Sequence, residues 1–239
     1  MRGLYTAASV MLAIVQYQAL LAKNVANAST TGYKAERVRF DTFESLLLGL
    51  GSEGSYLGLG VNAVRAPLDL RQGPLKETNR LLDVAITERG FLMVQTEDGV
   101  RLTRDGSLGL DGQRRLITAD GHLVLGAAGP ITLPEGEVSI SEDGQLFVDG
   151  APVATLALAV IEDEREAVKV GHNLIDAPNR PVAAGEALVL QGYLEGSNVN
   201  LGDSLTKMLA VLRTYEAAQR VAMAQSEAVD AAANQVGQV

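Results

Sequence analysis

The 239-residue chain has no cysteine, no tryptophan and only two histidines, and aromatic residues make up 4% of it. The absence of cysteine excludes disulfide frameworks, thiolate metal sites and cysteine nucleophiles together, while leaving the redox compartment open. His122 and His172 each lack a nearby second ligand or an H-E-x-x-H motif, so no metal site, cofactor site or catalytic triad is expected, and both are placed at the surface or at strand ends. Long apolar runs are missing as well. No stretch reaches the ~20 residues of a membrane-spanning helix, and membrane insertion is not expected. A basic surplus is also lacking: the formal charge of −9 argues against a nucleic-acid partner, because phosphate binding needs a basic face.

What is present is a hydrophobic fraction of 47%, enough to bury a core and leave room for two domains. Its charge is unevenly spread. Residues 72–191 carry ten basic and nineteen acidic side chains, whereas residues 1–71 carry seven and five and residues 192–239 carry three and five. The acidic excess suits a solvent-facing middle, and the near-neutral ends suit packing against other helices. Arg2, the apolar stretch Val10 to Val15 and Ala26-Asn27-Ala28 imitate a signal peptide. Gln16, Gln18 and Lys23 interrupt that pattern, so an uncleaved helix is expected.

In that first segment Leu4, Ala7, Met11, Ile14, Gln18, Leu21, Val25 and Ala28 alternate spacings of three and four, the mark of a heptad seam. The last segment does the same through Leu205, Met208, Leu212, Tyr215, Gln219, Ala222, Ser226, Val229, Ala233 and Val236. Both read as long coiled-coil helices, with Asn200 or Asp203 capping the second. Between them the period drops to two, and Asp-Gly recurs at Asp98, Asp105, Asp111, Asp120, Asp143 and Asp149. Because both positions of Asp-Gly tolerate positive φ, these are hairpin signals and the middle reads as antiparallel sheet. The expected fold is therefore α+β, with a discontinuous helical layer of paired N- and C-terminal long helices and an inserted antiparallel β-domain. Its expected segments are residues 1–44 (helix and following motif), 45–71 (Gly-rich connector), 72–191 (β-rich domain) and 192–239 (second helix).

Candidate chemistry is thin. Residues 49–54 match GxGxxG with Asp69 downstream, but no helical pattern follows the glycines, which defeats a dinucleotide site. None of the Asp-Gly turns has calcium-loop spacing. The run Glu162 to Glu166 is of the solvated-loop kind, and the Asn27-Ala28-Ser29 sequon falls on a helix end. No catalytic residue is expected, and the chain reads as a non-enzyme.

The stretch Asn24-Val25-Ala26-Asn27-Ala28-Ser29-Thr30-Thr31-Gly32-Tyr33-Lys34 resembles the N-terminal signature of the bacterial flagellar rod and hook protein family, departing from it at Lys23 and Ser29. Further stretches agree in order: Gln72-Gly73-Pro74-Leu75, Leu82 to Ile86, Gly90-Phe91, Leu102 to Ser107, Gln191 to Asn200 with Leu194-Glu195-Gly196-Ser197-Asn198-Val199, and Arg213-Thr214-Tyr215-Glu216. The resemblance implies a flagellar basal-body rod subunit that polymerises through its terminal helices into a hollow axial shaft. It also implies homo-oligomers, other rod and hook subunits as partners, export without a cleaved signal by the flagellar type III apparatus, and a place in the periplasmic part of the envelope. The expected assembly seam is Leu4, Met11, Ile14, Leu21, Val25, Leu205, Met208, Leu212, Tyr215 and Val229. The matched signature residues are Asn24, Asn27, Thr31, Gly32, Tyr33, Leu194, Glu195, Ser197, Asn198, Val199, Arg213, Tyr215 and Glu216. A secreted β-domain that binds carbohydrate or protein is the alternative, since it would keep the Asp-Gly turns but has no use for two terminal heptads.

Overall fold

A computed structural model describes residues 2–42, 61–182 and 187–236. The chain divides into two compact units, one formed by Met1–Ala26, Glu36–Ala66 and Asn200–Val239, the other by Asn27–Ala35 and Pro67–Val199. The GxGxxG stretch at 49–54 lies outside the described residues.

The second unit is antiparallel sheet throughout. Its main sheet of ten strands runs Val168–Gly171, Leu174–Asp176, Gly99–Thr103, Gly90–Thr96, Leu123–Gly126, Leu116–Thr118, Leu108–Leu110, with Leu158–Ile161 also bonded to Gly90–Thr96. Alternation decides its two faces. From the strand Gly90–Thr96, Leu92 and Val94 enter one core with Leu116, Val124 and Leu146, whereas Phe91 enters a second with Leu68, Leu102, Ala159 and Ile175. Successive side chains point to opposite faces of a strand, so a run of apolar residues here covers both sides of the sheet. The three-stranded sheet Val138–Ile140, Gln145–Val148, Ala151–Thr155 adds Ile140 and Leu146 to the larger core. Two short pairs close the unit, Val84–Ile86 with Val189–Gln191 and Leu75–Glu77 with Tyr193–Glu195.

Four of the six Asp-Gly glycines, Gly99, Gly121, Gly144 and Gly150, have positive φ, as tight hairpin turns demand. Gly106 does not. It is needed for a different reason: a Cβ there would lie 1.7 Å from the Val84 carbonyl oxygen, so only glycine lets the two backbones pass.

The first unit holds helix α1 (Arg2–Ala26), helix α2 (Leu201–Val236) and the two-stranded sheet Arg37–Thr42 with Val61–Ala66. The expected α+β fold with a helical layer is overturned here. Among the described residues there are two helices against nineteen strands, and the fold is predominantly antiparallel sheet. The helices make one small apolar cluster of Ile14, Leu21 and Val211, edged by Val10, Tyr17, Met208 and Tyr215. Most large apolar side chains of α2 stay exposed, including Leu205, Leu209, Leu212, Val221, Met223 and Val229. The physical reason lies in which residues meet: only Ile14, Leu21 and Val211 are buried in the contact, while Gln18, Gln219 and Ser226 interrupt the seams, so the contact buries too little area to make a layer.

Candidate functional site

The second unit is pinned at its centre by three charged side chains from distant parts of the chain. Gly32, at φ +66°, turns the segment after α1 against the strand Tyr193–Glu195, where its N–H donates to the Glu195 carbonyl at 2.7 Å. No other residue fits, because a Cβ would sit 2.4 Å from the Arg104 carbonyl carbon. That turn delivers Tyr33, 3% exposed, beneath the Lys169 ammonium, whose Nζ stands 3.1 Å from the ring centroid. It also delivers Lys34 into the interior.

Lys34 Nζ donates to Glu195 Oε1 at 2.6 Å and to the Arg71 carbonyl at 2.8 Å. Arg104 Nη1 donates to Glu195 Oε2 at 2.8 Å and to the Ile86 carbonyl at 2.6 Å, while its Nη2 reaches the Glu88 carbonyl. The Gly73 N–H takes a further 2.8 Å bond to Glu195 Oε1. All three charged side chains are 1% exposed. Burial holds the Lys34 ammonium below the ordinary lysine value, against the pull of the Glu195 carboxylate. Burial likewise lowers Arg104, again opposed by Glu195. Charged groups this deep persist only when paired and hydrogen-bonded, which the carbonyl and carboxylate partners achieve.

Asn198 completes the lock. Its Oδ1 accepts from the Ala35 N–H at 2.7 Å, its Nδ2 donates to the Asp69 carbonyl at 2.7 Å and the Arg71 carbonyl at 3.0 Å, and its own N–H donates to the Tyr33 carbonyl at 3.2 Å. One residue thus fastens Tyr33, Ala35, Asp69 and Arg71 together through its carboxamide and its backbone N–H. Thr31 joins through its carbonyl, which accepts from Asn173 Nδ2 at 2.8 Å. Ser197 is buried and its Oγ accepts from the Val199 N–H at 3.3 Å. Leu194 and Val199 are half-buried.

In the first unit Asn24, 5% exposed, plays a matching part. Its Nδ2 donates to the Glu36 carbonyl at 2.8 Å and its Oδ1 accepts from the Glu36 N–H at 3.1 Å, while Lys23 Nζ bonds the Glu36 carboxylate. The end of α1 is thereby fixed to the start of the strand Arg37–Thr42. Asn200 Oδ1 accepts from the Asp203 N–H at 3.0 Å and caps α2. Of the remaining signature residues, Asn27 takes Thr30 Oγ1 at 3.2 Å, and Arg213 and Glu216 are exposed on α2.

The expected seam residues divide. Ile14 and Leu21 are buried, Met11, Val25, Met208 and Tyr215 are half-buried, and Leu205, Leu212 and Val229 are exposed. The side chain of Leu4 lies outside the described residues. Sequence reasoning missed Lys34, Arg104, Asp69 and Glu36 as buried polar partners and Val211 as the α2 residue most deeply set in the helix contact. Lys34 and Arg104 sat inside the motif stretches, and the one available signal was a charge among otherwise apolar or turn residues. Among the described residues no three metal-donor side chains converge, and the buried charges of Lys34, Arg104 and Glu195 are spent on each other and on backbone groups.

Residues 85–148 match the family described as "Flagellar hook protein FlgE/F/G D1 domain", and residues 190–236 match "Flagellar basal body rod FlgEFG protein C-terminal". The chain is 34% identical to the flagellar basal-body rod protein FlgF of Escherichia coli, with 92% of each chain covered. It is 30% identical over the full length of both chains to the flagellar hook-basal body complex protein FlhO of Bacillus subtilis, and 29% identical to the FlgG rod protein of the same organism, covering 92% of this chain and 94% of that one.

Proposed function

The chain belongs to the flagellar basal-body rod protein family, and from that premise we propose that it is a structural subunit of the rod. The observation that carries the reading is likeness over nearly the whole length of relatives that are themselves named as rod proteins. Its work is mechanical, and the buried Lys34–Glu195–Arg104 cluster serves rigidity, not catalysis. Its partners are further copies of itself and other rod and hook subunits. It reaches them through the flagellar type III export apparatus and without a cleaved signal, and it acts in the periplasmic part of the envelope.

The contact surface is made of the apolar side chains that α2 leaves exposed. Leu205, Leu212 and Val229 are exposed in the single subunit, as are Leu209, Val221 and Met223. A soluble protein rarely leaves so many large apolar side chains along one helix unless a partner covers them. Ile14, Leu21, Met208 and Tyr215 hold the helices in position behind that surface, and Met11 and Val25 flank them. Leu212→Asp tests the reading. The position is exposed, so the isolated subunit keeps its fold and its stability to within about 0.5 kcal/mol. A carboxylate placed in a subunit contact is left unpaired and desolvated. Cells carrying only this variant should fail to complete basal bodies and fail to swim. Normal swimming would remove the surface from the argument, and complete basal bodies in cells lacking the chain altogether would remove the function.

A further inference from the structure

The chain's two histidines stand fifty residues apart in sequence, yet the fold sets them face to edge in the second unit, with ring centroids 6.2 Å apart and planes at 76°. Each is carried by a tight turn. His122 follows Gly121, at φ +86°, in a turn closed by the Thr118 N–H to the His122 carbonyl at 2.9 Å and the His122 N–H to Thr118 Oγ1 at 3.2 Å. His172 and Asn173, at φ +44° and +55°, are the two loop residues between the paired Gly171 and Leu174. A two-residue loop with both φ positive is the type I′ hairpin, a place that asparagine and glycine fill most easily. Histidine there is tolerated at some cost in backbone strain.

Both rings border an open cleft of about 700 Å³. Its charges do not balance. Arg115 is taken by Asp111 at 2.7 Å and Arg101 lies 3.7 Å from Asp176, which leaves the carboxylates of Glu97, Asp98 and Asp120 to set the sign of the field. A negative cleft draws cations. Within it, Nε2 of His122 is shut off from solvent and has no hydrogen-bond partner, a condition that a buried imidazole nitrogen in a native fold seldom keeps without a use.

We propose that His122 and His172 together form a binding site for a divalent transition-metal ion of the zinc, nickel or copper class. The donor chemistry selects that class: neutral imidazole suits these ions, whereas calcium and magnesium take oxygen ligands. The rings have nearly the separation, though not the orientation, that a shared ion needs. With metal–nitrogen bonds of ~2.0–2.1 Å, two imidazoles on one tetrahedral ion place their ring centroids ~5 Å apart, about 1 Å less than here. Rotation about the side-chain bonds covers that difference, turns both nitrogen edges towards one point and brings His122 Nε2, covered in the free chain, to the cleft. Among the described residues no third histidine or carboxylate converges on the pair. Two imidazoles and water therefore make up the coordination, and the neighbouring carboxylates act only through their field.

Calorimetric titration of the purified full chain with zinc chloride at neutral pH tests the proposal, with cupric ion and electron paramagnetic resonance as a second reading. One zinc per chain is expected, together with nitrogen hyperfine structure on the bound copper. His122→Gln and His172→Asn, the latter chosen because asparagine accepts the left-handed turn, should each weaken zinc binding about tenfold or more while circular dichroism stays native. Three results would overturn the site: no zinc uptake by the native chain, equal affinity in folded variants of both positions, or calcium binding as strong as zinc.

Discussion

Replacing Glu195 by glutamine puts the buried charge cluster of the second unit to its severest test. In the native fold this one carboxylate takes Lys34 Nζ at 2.6 Å, Arg104 Nη1 at 2.8 Å and the Gly73 N–H at 2.8 Å, with both cationic side chains 1% exposed. Two cations share a single anion. Glutamine keeps the volume and one acceptor oxygen, so packing hardly changes and the variant reads electrostatics. Deleting one member of a buried ion pair costs about 3–5 kcal/mol, because its partner is left charged and desolvated. Here two partners are left, which argues for the upper part of that range, about 4–5 kcal/mol. In a chain of this size each kcal/mol lowers Tm by about 2–4 °C, so a fall of roughly 10–20 °C is expected.

The control is Lys34→Met, which removes the surplus cation and leaves Glu195 and Arg104 as a one-to-one pair. Its cost is that of the two hydrogen bonds lost, on the order of 1–3 kcal/mol. Thermal and urea unfolding of the isolated subunit, followed by circular dichroism, measures both. A loss below about 1 kcal/mol for Glu195→Gln, or a larger loss for Lys34→Met than for Glu195→Gln, would refute the reasoning. The pH dependence gives a second check. Burial holds the folded-state Lys34 below the ordinary lysine value, so between those two values the unfolded chain binds a proton that the folded chain does not. Stability contributed by this group therefore rises with pH across that alkaline window. Lys34→Met should flatten the slope.

Gly106→Ala forces a Cβ to within 1.7 Å of the Val84 carbonyl oxygen, and since backbone cannot yield as a side chain can, a loss of more than about 3 kcal/mol or failure to fold is expected. A soluble variant of native Tm would contradict the close approach. Asp105→Asn should be neutral or slightly stabilising at neutral pH: burial raises the Asp105 carboxyl, and the retained oxygen still accepts the 3.0 Å bond from the Ser107 N–H. With the folded value raised, native stability falls as pH climbs from the ordinary aspartate range through that raised value. The asparagine variant should lack this decline, as denaturant titrations at several pH values would reveal.

How far the sequence disclosed these arrangements depended on distance along the chain. The antiparallel middle was legible because turn chemistry and period-two alternation act within a few residues, as at Asp149-Gly150, where both φ angles are positive. Partner choice was not. Lys34 lies 161 residues from Glu195 and Arg104 lies 91 residues from it, and no local pattern says which of several charges will be buried together. The two histidines were hidden for the same reason. On α2 the difficulty was of another kind. The seam read from the sequence runs through Leu205, Met208, Leu212 and Tyr215, whereas the residues that turn inward are Ser204, Met208, Val211 and Tyr215. Val211 and Leu212 are adjacent and both apolar, so a pattern of threes and fours fits either one.

That ambiguity has a structural meaning. A helix whose apolar residues occupy two neighbouring stripes can turn one stripe to its own subunit and leave the other for a neighbour, and α2 does the first with Val211, 8% exposed, against 43% for Leu212. Periodicity alone merges the two stripes into one wide face. It is burial in the single subunit that separates them, and the separation predicts opposite phenotypes. Val211→Asp places a carboxylate in the intramolecular cluster with Ile14 and Leu21, so it should loosen the helices of the isolated subunit, seen as faster proteolysis of residues 2–26 and 200–236, before assembly is ever reached. Leu212→Asp should leave that proteolysis unchanged. If both variants are cleaved at the native rate, the cluster around Val211 contributes nothing to the subunit and the distinction between the stripes fails.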